Sequence, residues 1–182
     1  HYDRLIAGSA CPVEKELKVE AGKEIGATYV LERRELGIIN IGGNGIVFLD
    51  GIEYELGPRD GLYVGMGTKD IIFKSVDGQK PAKFYINSAP AHRPYPTVKI
   101  DINKANPVHT GSQEQLNERT IYQYIHPDVC QSCQLLMGMT VLKEGCVWNT
   151  MPCHTHDRRM EVYFYFDMPD DALVVHMMGE PH

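Results

Sequence analysis

Along most of the chain apolar and polar positions alternate with a period of two in short runs, and each run is closed by Gly, Pro or Asp. The alternation predicts strands at 28–31, 36–41, 45–49, 61–64, 70–75 and 83–86. It resumes at 120–125, 133–142, 147–150, 161–166 and 172–177. No run is long enough to predict a helix, so crossover helices of a parallel sheet have no room. Asp50-Gly51 joins Ile46-Val47-Phe48-Leu49 to Ile52-Glu53-Tyr54-Glu55-Leu56, a hairpin whose two turn residues tolerate positive φ. Regular short strands with such punctuation predict an all-β fold of the sandwich or barrel kind.

Between 89 and 118 the pattern breaks: Pro90, Pro94, Pro96 and Pro107 stand among polar residues, the composition of a linker. The expected organisation is a first barrel with its linker at 1–105 and part of a second at 106–182. A weak echo supports two copies of one unit: Glu32-Arg33-Arg34-Glu35-Leu36 precedes one strand and Asp157-Arg158-Arg159-Met160-Glu161 another. The chain lacks an initiator Met and opens on His1-Tyr2-Asp3-Arg4-Leu5-Ile6 as though within a strand, so a segment of a longer protein is expected.

Composition narrows the function classes. With 43% hydrophobic and 23% charged residues over 182, the chain has the balance of a folded globular protein. A net charge of −6 and the lack of a basic stripe argue against nucleic acid as a partner. The longest uncharged stretch, 36–49, is too short to span a bilayer, and no basic region followed by an apolar one opens the chain, so neither membrane nor export is expected. Five cysteines at irregular spacing do not make a paired framework, which favours the reducing cytoplasm. Cys130 and Cys133 form a single C-x-x-C without the second pair of a zinc ribbon.

The chemistry concentrates near the end, where four of eight histidines fall: His154, His156, His176 and His182. In His154-Thr155-His156 the two imidazoles project from one face of an extended segment, and Glu161 follows four residues later. With 157–160 as a turn, the Glu161 carboxylate returns beside the two nitrogens. Two imidazoles and a carboxylate suit zinc, nickel, manganese or iron(II). Arg158 and Arg159 are candidate substrate-binding residues, guanidiniums suited to an anionic group, only one of which faces inward on a strand. Tyr163 and Tyr165 share the side of Glu161, with Tyr163 a candidate for substrate contact.

The H-x-H-x4-E pattern in a glycine-rich all-β chain looks like the first metal-binding motif of the cupin superfamily. The stretch from Trp148 to Phe166, with His176-Met177-Met178-Gly179 after it, resembles the 5-keto-4-deoxyuronate isomerase family of pectin and uronate breakdown. Leu31-Glu32-Arg33-Arg34-Glu35-Leu36-Gly37, Ile39-Asn40-Ile41-Gly42-Gly43, Arg59-Asp60-Gly61-Leu62-Tyr63-Val64-Gly65 and Pro81-Ala82-Lys83-Phe84-Tyr85 carry the same likeness, so it spans the chain. The resemblance implies two cupin-type jelly-roll barrels in tandem, the second incomplete here, and a cytoplasmic homohexamer. It also implies zinc held by His154, His156 and Glu161, with a fourth histidine ligand beyond residue 182. The implied reaction is the ketol-isomerisation of 5-dehydro-4-deoxy-D-glucuronate to 3-deoxy-D-glycero-2,5-hexodiulosonate.

By the same likeness neither His176 nor His182 occupies the fourth ligand's place, and the general base stays unassigned. The positions of the first half aligned with the two histidines are Tyr29 and Leu31, which predicts a first barrel without metal that serves assembly. His92 and His109 fall in the linker and are expected to be exposed. Two alternatives come from the residues: a cupin non-haem iron dioxygenase, since two histidines and a carboxylate with open positions also describe those sites, and a cupin sugar-binding module without turnover.

Overall fold

In a computed structural model the structure describes residues 1–151 and 153–180, and every regular element among them is a strand. Nine strands build two sheets of the first compact unit. β1 (Ile6–Ala10), β3 (Arg34–Asn40), β6 (Gly61–Val64), β8 (Phe84–Pro90) and β9 (Val98–Ile100) form a five-stranded sheet in the order β1-β8-β3-β6-β9. β2 (Leu17–Lys18), β4 (Gly45–Leu49), β5 (Ile52–Leu56) and β7 (Ile71–Ser75) form a four-stranded sheet in the order β2-β7-β4-β5. The hairpin turn lies where its residues predict, with Asp50 at φ 49° and Gly51 at 84° and Leu49 paired to Ile52.

Alternation sends one side of each strand into a shared core. Leu36, Ile38, Leu62, Val64 and Phe84 from the first sheet join Val47, Leu49, Leu56, Ile71 and Phe73 from the second. Phe73 and Phe84 meet at 4.9 Å between ring centroids. Asn40, fully buried, bridges both sheets: its Nδ2 donates to the carbonyls of Gly43, Leu56 and Gly57, and its Oδ1 accepts from the amides of Gly42 and Lys83. The run 28–31, expected as a strand, is a turn instead. Glu32 N donates to Tyr29 O while Leu31 plugs the core at 0% exposure, because an apolar run needs a neighbouring backbone to become a strand.

The other face of the five-stranded sheet is also covered. Three further strands, β10 (Asn106–Thr110), β11 (Arg119–Ile125) and β12 (Met137–Leu142), form a sheet in chain order. Residues 120–141 belong to the first compact unit together with 1–108. Gly37 makes that packing possible: a Cβ there would lie 2.5 Å from Ile125 and 2.9 Å from Met137. Glu35 anchors it. This carboxylate is fully buried and accepts four hydrogen bonds, from Tyr63 Oη at 2.8 Å and from the amides of Cys133, Gln134 and Leu135 at 2.7 Å each. Cys133 of the C-x-x-C thus serves a structural loop, and burial pushes the Cys130 thiol's pKa up.

The second compact unit comprises 109–119 and 142–182. Its two stretches are joined by Lys143 N to Glu118 O, Val147 N to Leu116 O and the Trp148 indole to Gln115 O. The strands expected at 147–150, 161–166 and 172–177 are absent as regular elements: the backbone there is extended or irregular, and no ladder pairs it among the described residues. The reason is physical. Alternation specifies which side chains share a side, whereas a strand requires partner amides and carbonyls. Large apolar side chains accordingly stay in solvent, with Leu173 94% and Val175 80% exposed.

Candidate metal and substrate site

The site lies within the second unit, on two consecutive extended segments and the turn before them. His154 and His156 point the same way, their rings 4.9 Å apart in an edge-on arrangement, as i, i+2 spacing requires. His156 Nε2 lies 3.7 Å from Glu161 Oε1, so the bend at 157–158 does bring the carboxylate back. Arg159 inserts its guanidinium at that junction, 3.3 Å from Glu161 Oε1 and 3.5 Å from His156 Nε2. Arg158 and Arg159 are both exposed, but Arg159 alone of the two meets Glu161 and His156, while Arg158 makes no hydrogen bond or ion pair among the described residues.

Tyr163 Oη donates to the other oxygen, Glu161 Oε2, at 3.1 Å. Partial burial, followed by the nearby Glu161 charge, raises the Tyr163 pKa above that of an ordinary tyrosine. Tyr165 stacks beside Tyr163 with centroids 6.5 Å apart. Phe164 and Phe166 stack on each other at 6.0 Å, on the alternate side that alternation assigns them. His176 joins this group from the next segment, its ring 5.1 Å from that of Tyr163 and its Nδ1 3.4 Å from Tyr165 Oη. The alternation pattern places Glu161, Tyr163 and Tyr165 together but carries no signal for His176, whose position depends on the turn at 167–172, where Asp167 has φ 56° and Ala172 N donates to Pro169 O. His182 lies outside the described residues.

Among the described residues no three His, Cys, Asp or Glu side chains converge tightly enough to enclose an ion. The donor set nevertheless fits a divalent cation. Two imidazoles and a carboxylate are the right chemistry. His156 and Glu161 already share a positive charge, that of the Arg159 guanidinium. In the first unit the aligned Leu31 is wholly buried in the core.

The model of the KduI/IolB family matches residues 4–181. The chain belongs to the KduI/IolB family. Within it the chain is 62% identical over 182 residues to a 4-deoxy-L-threo-5-hexosulose-uronate ketol-isomerase of Caldicellulosiruptor bescii, covering all of this chain and 66% of that one. It is 57% identical over 183 residues to the enzyme of the same name from Escherichia coli O139:H28, again covering all of this chain and 66% of that one. The chain therefore spans just under two thirds of the length of these curated relatives. The crystal structure of an IolB-like protein from Salmonella typhimurium LT2 superposes with a TM-score of 0.61 at 16% identity, covering 78% of this chain and 52% of that one. This KduI/IolB member is thus all-β, as its strand pattern predicts, with the cupin-type fold that the resemblance implies. No helix among the described residues is long and apolar enough to cross a membrane.

Proposed function

We propose that this protein is a ketol-isomerase of uronate breakdown that converts 5-dehydro-4-deoxy-D-glucuronate to 3-deoxy-D-glycero-2,5-hexodiulosonate, with zinc held by His154, His156 and Glu161. The observation that carries the reading is the cluster in which His156 and Glu161 share one cationic group while Tyr163 binds the free carboxylate oxygen. The identity to named ketol-isomerases across the whole chain supports it. A cytoplasmic homohexamer, and a role in pectin degradation, belong to the same proposal.

An aldose-to-ketose shift moves one proton between adjacent carbons and stabilises negative charge on oxygen while it does so. A divalent cation bound by the two imidazoles and the carboxylate supplies that charge stabilisation. Arg159, which meets Glu161, binds the substrate carboxylate through paired N–H donors. Tyr163 holds the Glu161 carboxylate in one orientation and closes one flank of the site.

The test is elemental analysis of the native polypeptide together with an isomerisation assay on the deoxy-keto-uronate and size-exclusion chromatography with light scattering. About one zinc per chain, turnover that chelation abolishes, and a hexameric mass are expected. Iron-dependent oxygen consumption without isomerisation would replace the isomerase by a dioxygenase.

A further inference from the structure

We propose that His176 is the proton-carrying residue of the isomerisation, the group that takes the proton from the carbon beside the carbonyl and returns it to the neighbouring one. This rests on the ketol-isomerase reading of the site. The other groups of the cluster are committed elsewhere. Both Glu161 oxygens are engaged, one by Arg159 and one by Tyr163. His154 and His156 are the proposed ion ligands, and a guanidinium has no lone pair to offer. The Tyr163 hydroxyl spends its proton on Glu161 Oε2.

His176 remains, and its surroundings orient it. Its ring packs at 5.1 Å against that of Tyr163, the residue bonded to Glu161, and Nδ1 meets Tyr165 Oη at 3.4 Å. In the tautomer in which Nδ1–H donates to that hydroxyl, the Nε2 lone pair is available, and Nε2 makes no hydrogen bond among the described residues. Two tyrosines therefore hold a basic nitrogen next to Tyr163, which meets the Glu161 oxygen that Arg159 does not. A buried core histidine would not look like this, because His176 is exposed.

The step balances without an oxidant. The Nε2 lone pair forms an N–H bond with the departing proton, the C–H electron pair becomes the carbon–carbon double bond of the enediol, and the carbonyl π pair moves to oxygen. Return of the proton to the adjacent carbon breaks that N–H bond. The hydroxyl proton passes from one oxygen to the other, and the carbonyl re-forms one carbon along.

The experiment compares the native polypeptide with its His176→Asn and His176→Ala forms. Because the side chain is exposed, both should keep the melting midpoint and the zinc content. Expected are a KM within about twofold and a kcat lower by about 10²–10⁴-fold, the usual contribution of a positioned acid–base group. Added imidazole should restore turnover to His176→Ala, and incorporation of solvent deuterium into the substrate carbon should fall in step with kcat. A kcat within about threefold of native, or a loss of turnover that follows a loss of zinc, would overturn the assignment while leaving the isomerase reading intact. Native protein that binds zinc and isomerises nothing would overturn the reading and this role together.

Discussion

The two-sheet sandwich and the segment from His154 to His176 are built from the same alternating pattern, and they end in opposite conditions. In the sandwich, Leu62, Phe73 and Phe84 are at 0% exposure, each on a strand hydrogen-bonded to neighbours. In the segment, Tyr163 and Phe164 are each 50% exposed, rings stack on one another, and no strand ladder pairs the backbone among the described residues. Period-two patterning therefore sorts residues onto faces in both, whereas backbone pairing turns one such face into a core. Stability should reside in the first region and chemistry in the second, with little cross-effect between them.

The hardest test of that division is Phe84→Ala, which removes a fully buried ring tilted against Phe73 and should cost about 3–5 kcal/mol in a urea titration. Comparable destabilisation by a substitution at the exposed Phe164 would break the comparison. Next comes Glu35→Ala. It strands three amides and a phenol in a water-free interior, at a cost of about 3 kcal/mol or more in the same titration. Metal content should be unaffected.

The same anchor gives the sandwich an alkaline limit. Burial first, then the hydrogen bond to Glu35, raises the Tyr63 pKa well above its usual value of 10, and burial does the same for Tyr124, whose Oη donates to Arg59 O. Both phenols are neutral in the fold, while in the unfolded chain they ionise near 10. Their contribution is complete below pH 10 and is lost as pH rises from there toward the folded values. Absorbance at alkaline pH should show these two of the ten tyrosines resisting ionisation until the chain unfolds. Independent titration of all ten would refute it.

On the chemical side, His154→Ala or His156→Ala should lower zinc content and turnover by about a hundredfold or more, with a stability change below about 0.5 kcal/mol. The smallest expected effect discriminates two neighbours. Arg159→Ala should raise KM for the uronate by an amount equivalent to about 1–3 kcal/mol, and Arg158→Ala should leave it nearly unchanged. Equal effects at the two positions would remove the distinction that the geometry draws.

Much of this was readable along the chain. β4 and β6 begin and end at the residues that alternation and flanking turns predict, and Asp50-Gly51 makes its hairpin because both residues carry the positive φ it needs. Glu161, Tyr163 and Tyr165 share a side because residues two apart on an extended backbone must. Four strands were not visible: β1, with the small residues Ala7, Gly8 and Ser9, β2, only Leu17 and Lys18 long, β9 with Lys99 at its centre, and β10 with Pro107. β1 and β9 are edge strands, held by one neighbour each, and their own side chains carry little strand preference.

The residue types and their spacing by themselves determined the all-β class, the first core and the neighbouring rings of His154 and His156, because period and turn chemistry are local properties of a chain. Only the tertiary structure decided that Glu35 is a buried anchor, that Arg159 rather than Arg158 meets Glu161, and that His176 stands beside Tyr163. Each of those depends on a contact across a turn or between strands far apart in sequence, such as the 98 residues that separate Glu35 from Cys133, and no local pattern encodes which distant group will satisfy a charge.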